Sequence, residues 1–234
     1  MKKIPTWIYV WVSTAVAVGL FLAFRSKKKD KPPKKILFVG DSITATTYQG
    51  KPTGTYPLII GRKRPDLTID VLAIGGKTTK WMLENLPSKI ANGYDRVYIY
   101  GGVNDAFSPV NLNSVVSNVQ KMVDLANSNG ASAYVVLGYE PNGFMEYKKM
   151  PTTRYVGTKE GYIPLIARYK ELQSKYLSVK DAIFVPKFQL GSNTSDGTHP
   201  NGIGQNIIAE DIVIDAIICS NHNNHNHTSG SSHC

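Results

Sequence analysis

Cysteine is scarce in this sequence: 234 residues hold two, Cys219 and Cys234, both near the C-terminus. Two such thiols build no disulfide framework, and they do not fix the redox compartment. Histidine is almost as thin. Of five, four (His222, His225, His227 and His233) fall in the last stretch, SNHNNHNHTSGSSHC, which leaves His199 as the single imidazole elsewhere. That stretch, residues 220–234, is polar and of low complexity. Nothing in it imposes ligand geometry, so it is expected to be a disordered tail rather than a metal site. No Walker A run occurs, and Gly202-Ile203-Gly204 lacks both the third glycine and the preceding strand of a dinucleotide fingerprint.

Acidic residues are missing from one end. Residues 1–35 carry nine of the 27 basic residues against a single acid, Asp30. The remaining 18 basic and 16 acidic residues nearly cancel, so the net charge of +10 is no nucleic-acid surface on the body of the protein. Charge is absent altogether from residues 4–24, IPTWIYVWVSTAVAVGLFLAF. A helix of that length matches a hydrocarbon core of ~30 Å, and Trp7, Tyr9 and Trp11 suit the headgroup level. An uncleaved single-span anchor into the lipid bilayer over residues 1–24 is therefore expected. The competing reading is a cleaved signal peptide, which would be shorter and end at a small-residue site. Seven basic residues between Arg25 and Lys35 follow the span; this bias favours a cytoplasmic C-terminal domain, and a solvated spacer outside the cell is the alternative.

With 42% apolar residues, the remainder can bury a sizeable core. Short runs rich in Val, Ile and Tyr predict strands at Ile36–Val39, Thr68–Ile74, Arg96–Tyr100, Ala133–Leu137 and Ala182–Val185. Apolar residues at three- and four-residue spacing predict helices from Leu112 to Gly130, near Tyr162–Leu177 and over Gly202–Ile218. Strands alternating with helices imply βαβ units and a mostly parallel sheet of about five strands. Residues 139–162 show no period and read as a long loop. It is either functional or a variable insertion, and its Phe144, Tyr147, Tyr155 and Tyr162 could contact substrate or simply pack.

Gly40-Asp41-Ser42 follows the first strand of this body. Ligands of open α/β sheets bind at the carboxyl ends of strands, so a serine there can face a cleft, and a helix starting just after it would favour developing negative charge. Alone, the tripeptide reads rather as a turn in which Asp or Ser caps a helix. Three later segments change its meaning: Gly75-Gly76-Lys77-Thr78-Thr79 after the second strand, Gly101-Gly102-Val103-Asn104-Asp105 after the third, and Asp196-Gly197-Thr198-His199-Pro200-Asn201 before the last helix. In order and spacing these four blocks resemble those of the SGNH (GDSL-like) hydrolase superfamily over residues 36–218. One departure is the Val71-Leu72-Ala73-Ile74 run, where the second block often has an Asn and small residues.

The resemblance implies a flavodoxin-like three-layer α/β/α sandwich and a set of roles. Ser42 would be the nucleophile, His199 its base and then its acid, and Asp196 the group that orients the imidazole. The backbone N–H groups of Ser42 and Gly76 and the Asn104 side-chain amide would form the oxyanion hole. Asp41 and Asp105 are expected to bond loop backbone rather than take part in the chemistry. The order Ser, Asp, His also occurs in α/β-hydrolases, but their Gly-x-Ser-x-Gly elbow is absent around Ser42. Such a mechanism requires no cofactor and no metal. The expected architecture is an anchor (1–24), a basic linker (25–35), the hydrolase domain (36–219) and the tail (220–234). The expected activity is cleavage of a carboxylic ester, an O-acetylated saccharide or a lipid acyl ester, through an acyl-enzyme. The alternative is a non-enzymatic, membrane-tethered binding or structural protein on the same fold.

Overall fold

The computed structural model describes residues 33–48, 51–52, 54–139, 159–195 and 198–221. It divides the chain into Pro33–Asp215 and a second unit made of Met1–Pro32 with Ala216–His233, of which only residues 216–221 are described. The expected span over residues 4–24, the linker as far as Pro32 and the tail beyond Asn221 thus lie outside the described residues. Among the described residues, no helix is long and apolar enough to cross a membrane.

Five strands form one sheet: β1 (Lys35–Gly40), β4 (Thr68–Ala73), β5 (Arg96–Tyr100), β6 (Ser132–Val136) and β7 (Ile183–Val185). Their order is β4-β1-β5-β6-β7, and every neighbouring pair is parallel. Two short strands, β2 (Thr47–Tyr48) and β3 (Lys51–Pro52), make a separate antiparallel ribbon. The helices are α1 (Tyr56–Lys63), α2 (Thr79–Ile90), α3 (Val103–Ala106), α4 (Leu112–Ser128), α5 (Lys159–Tyr176) and α6 (Gly202–Asn221).

The strand order places the helices. From β1 the chain steps outward to β4, then reverses across β1 to reach β5 and continues to β7. With right-handed crossovers, that reversal puts α1 on one face and α2, α4 and α5 on the other. Both faces are therefore covered, and Ile36, Leu37, Phe38 and Val39 are all buried, as a near-continuous apolar run in a parallel strand requires. Register sets Phe38, Tyr98 and Tyr134 side by side on one face. Tyr98 stacks on Tyr134 at 4.5 Å between ring centres, Phe38 lies 5.2 Å from Tyr98, and Tyr56 of α1 meets Phe38 edge-on at 5.3 Å. Such pairs add ~0.5–1.5 kcal/mol each beyond area burial.

The predicted strands hold to within a residue. Helix α4 starts under its Asn111 cap, whose side chain accepts the Asn113 N–H at 2.8 Å, and stops before Gly130 as expected. Helix α6 runs three residues past the expected Ile218. Three helices, α1, α2 and the four-residue α3, go beyond the sequence expectation. Helix α1 is only eight residues long, and α2 buries Met82, Leu86 and Ile90 at four-residue spacing with Pro87 inside it, a stripe too thin to stand out. The long segment expected over 139–162 is described only at its ends, where Tyr139 is buried and α5 is already under way at Lys159.

Candidate active site

The connections change direction between β1 and β5, and it is at the carboxyl ends of strands at such a point that open parallel sheets bind ligands. Ser42 stands one residue beyond Asp41 in the turn that leaves β1. No helix follows it directly, contrary to the sequence expectation. The segment is a single tight turn in which the Thr44 and Ala45 N–H groups share the Asp41 carbonyl at 3.2 and 2.9 Å, and the next helix begins only at Tyr56. Any stabilisation of negative charge here must come from individual N–H groups rather than from a helix start.

His199 arrives from the other end of the chain. Its Nε2 lies 2.9 Å from Ser42 Oγ across 157 residues of sequence, and both side chains are partly buried. With Nε2 unprotonated, the serine hydroxyl donates and is set for proton removal. The loop carrying His199 is closed on itself: the Ser195 N–H and hydroxyl both donate to the His199 carbonyl, at 2.8 and 3.2 Å. Asp196, within that closed loop, lies outside the described residues together with Gly197.

Two buried carboxylates tie the remaining blocks to the serine turn. Asp41, 1% exposed, accepts the Ile43 N–H at 3.0 Å and faces the Asn104 amide nitrogen at 3.4 Å. Burial pushes its carboxyl up to about 6, against the Ile43 hydrogen bond and the charge of His199, which draw it down. Asp105, in α3, accepts the Thr79 N–H at 2.9 Å and the Thr79 hydroxyl at 2.8 Å, and so holds the first residue of α2. Burial raises its pKa as well. Asp41 thus bonds turn backbone, as expected from the sequence, whereas the partner of Asp105 is the first residue of a helix.

Asn104 also donates to the Lys77 carbonyl at 3.0 Å, so it joins the Gly75–Lys77 turn to the Asp41–Ser42 turn. Gly76 has φ +75°, which favours glycine at this position. A Cβ on Gly75 would lie 3.6 Å from Ser42 Cβ, so the two turns touch. Gly102, at φ +110°, immediately precedes α3, which carries Asn104, and a Cβ there would collide with Tyr176 Oη. That hydroxyl in turn donates to the Gly101 carbonyl at 3.0 Å. Neither the Ser42 nor the Gly76 N–H is taken up by a hydrogen bond among the described residues. The turns that carry Ser42, Gly76, Asn104 and His199 thus lie against one another, while Asp196 is outside the described residues.

Among the described residues, no group of three His, Cys, Asp or Glu side chains could hold a metal ion. A separate cleft of about 530 Å³ beside β4, lined by Pro57, Leu58, Gly61, Ile69 and Val71 among others, includes none of the four. Sequence reasoning missed Gln205. Its carboxamide accepts the Tyr56 N–H at 2.8 Å and donates to the Ile43 carbonyl at 3.2 Å. A glutamine in the first turn of a helix carries no signal of such reach.

The chain belongs to the GDSL-like Lipase/Acylhydrolase family, whose model matches residues 38–207. By family it is a carboxylic-ester hydrolase. It is 26% identical over 199 residues to an arylesterase of Vibrio mimicus, covering 82% of this chain and 93% of that one. Its fold is shared with an acetylxylan esterase from Geobacillus stearothermophilus (TM-score 0.58, 17% identity, 80% of this chain and 96% of that one). It is likewise shared with a lipase/acylhydrolase from Enterococcus faecalis (TM-score 0.57, 17% identity, 78% and 94%).

Proposed function

We propose that the protein cleaves carboxylic esters through an acyl-enzyme formed on Ser42. The observation that carries this reading is the Ser42 Oγ–His199 Nε2 approach of 2.9 Å at the carboxyl end of β1, in a chain of this family. Ser42 Oγ attacks the ester carbonyl carbon and its proton passes to His199 Nε2. The carbonyl oxygen becomes an oxyanion, held by the Ser42 and Gly76 N–H groups and by Asn104, whose 3.4 Å contact to Asp41 is long enough to give way to a better acceptor. Collapse breaks the bond to the alkoxy oxygen, which leaves as the alcohol with the proton from His199. A water, deprotonated by His199, then attacks the acyl carbon; the acyl–Oγ bond breaks, His199 returns the proton to Ser42 Oγ, and the acid is released. Asp196, three residues before His199 in the closed loop, orients the imidazole and stabilises its charged form.

The substrate is an O-acetylated saccharide or a lipid acyl ester. The acetylxylan esterase and the lipase/acylhydrolase on the same fold support the two classes. Residues 4–24 anchor the domain in a bilayer by their length and lack of charge, and the basic residues 25–35 favour its cytoplasmic side. Ser42→Ala should abolish both labelling by a fluorophosphonate probe and hydrolysis of p-nitrophenyl acetate. Labelling that persists in the variant would refute Ser42 as nucleophile.

A further inference from the structure

Ser42 and His199 sit on separate turns 157 residues apart, and their 2.9 Å approach needs something besides itself to hold it. Gln205 is placed to do so. It is 6% exposed and lies in the first turn of α6, six residues after His199, on the same rigid piece. That piece is well fixed. The Asn201 side chain accepts the Ile203 and Gly204 N–H groups at 3.0 Å each, the Asn201 N–H donates to the Asn193 carbonyl at 3.0 Å, and the Gln205 N–H donates to the Asn201 carbonyl at 2.8 Å. From there the Gln205 amide nitrogen donates to the carbonyl of Ile43, the residue after the nucleophile, at 3.2 Å. Its oxygen accepts the Tyr56 N–H at 2.8 Å, and the Tyr56 hydroxyl bonds Thr44 Oγ1 at 3.0 Å. One buried carboxamide therefore grips the nucleophile turn directly through Ile43 and indirectly through Tyr56 and Thr44.

We propose that Gln205 is a positioning residue that holds the Ser42 turn in reach of His199. The inference rests on the serine–histidine reading above and extends it to a residue that touches neither reacting group. A carboxamide suits the task because it offers a donor to one strand of backbone and an acceptor to the other at fixed separation. Misplacement of a nucleophile by ~1 Å can lower turnover ~100-fold, so a loosened turn should be visible in kcat while leaving substrate affinity intact.

The test uses the full-length protein and three variants. Gln205→Met keeps the length and loses both bonds. Gln205→Glu, ionised at pH 9, keeps the acceptor for Tyr56 and turns a lone pair on the Ile43 carbonyl. Glu210→Ala breaks the other link between α1 and α6, the 2.8 Å Lys63–Glu210 pair, without touching the Ser42 turn. With p-nitrophenyl acetate and a fluorophosphonate probe, both Gln205 variants are expected to lose about 10- to 100-fold in kcat and labelling rate with KM within about threefold. Glu210→Ala should match the parent. Gln205→Glu decides where Gln205→Met gives no cooperative melt. Parental turnover in a folded Gln205 variant, or an equal loss in Glu210→Ala, overturns the proposal. Amide exchange of residues 43–45 reads the grip without any turnover and should quicken about tenfold in the Gln205 variants only. Unchanged exchange overturns the grip, whereas a parent protein that the probe does not label overturns the serine-hydrolase reading instead.

Discussion

Asp41→Asn separates the two things that Asp41 does. Its carboxyl is buried beside the nucleophile, and burial moves its pKa from 3.8 to about 6. The folded protein therefore holds this proton more tightly than the unfolded chain does. The corresponding stability is fully present below 3.8 and is lost as pH rises through about 6. At ~1.36 kcal/mol per pH unit, the ionised carboxylate costs the native state about 3 kcal/mol at pH 7. Asparagine is uncharged at every pH, so it removes that pH-dependent part. Its Oδ1 can still accept the Ile43 N–H, but its Nδ2 would oppose the Asn104 amide across the 3.4 Å contact, setting donor against donor. Urea unfolding of both proteins at pH 4, 5, 6 and 7 gives the difference curve, in which the shifts of Asp105 and Asp211 largely cancel. The variant should gain on the parent by about 2.4 kcal/mol between pH 4 and pH 7, because pH 4 already lies just above the unfolded value of 3.8. The offset that remains at acid pH reports the Asn104 mismatch. kcat at neutral pH should fall even where stability rises, because Asn104 loses an acceptor that steadies it. A difference curve flat between pH 4 and 7 would refute the buried, ionised carboxylate.

Asn104→Ala should lower kcat by about 10²–10³-fold with little change in KM, the loss typical of one oxyanion donor; a KM rise at constant kcat would place Asn104 in substrate binding instead. Alkaline carbonate extraction should leave the full-length protein in the membrane pellet if the proposed span over residues 4–24 holds, and recovery in the supernatant with a new N-terminus beyond residue 17 would decide for a cleaved signal peptide.

Much of this protein could be read in its sequence. Parallel strands buried on both faces show as apolar runs, so β1 and β5 were legible to within a residue, and the residues that leave them, Ser42 and Asn104, could be placed at strand ends. The same local logic failed for α1 and α2. An eight-residue helix has too few turns to show a period, and α2 fully buries only Met82, Leu86 and Ile90 of its apolar residues, with Pro87 inside it. It also failed after Ser42, where Asp41 closes a tight turn instead of starting a helix. What only the tertiary structure decided was how the four blocks meet. The strand reversal at β1 brings Gly76 and Asn104 to either side of Ser42, and Asp41 and Asp105 lock those loops together with buried carboxylates. Gln205 lies beyond any pattern in the chain, because its partners are two backbone groups, the Ile43 carbonyl and the Tyr56 N–H. Every residue carries such groups, so the sequence cannot mark which of them a side chain will reach; that is set by the packing of α6 against the Ser42 turn and α1.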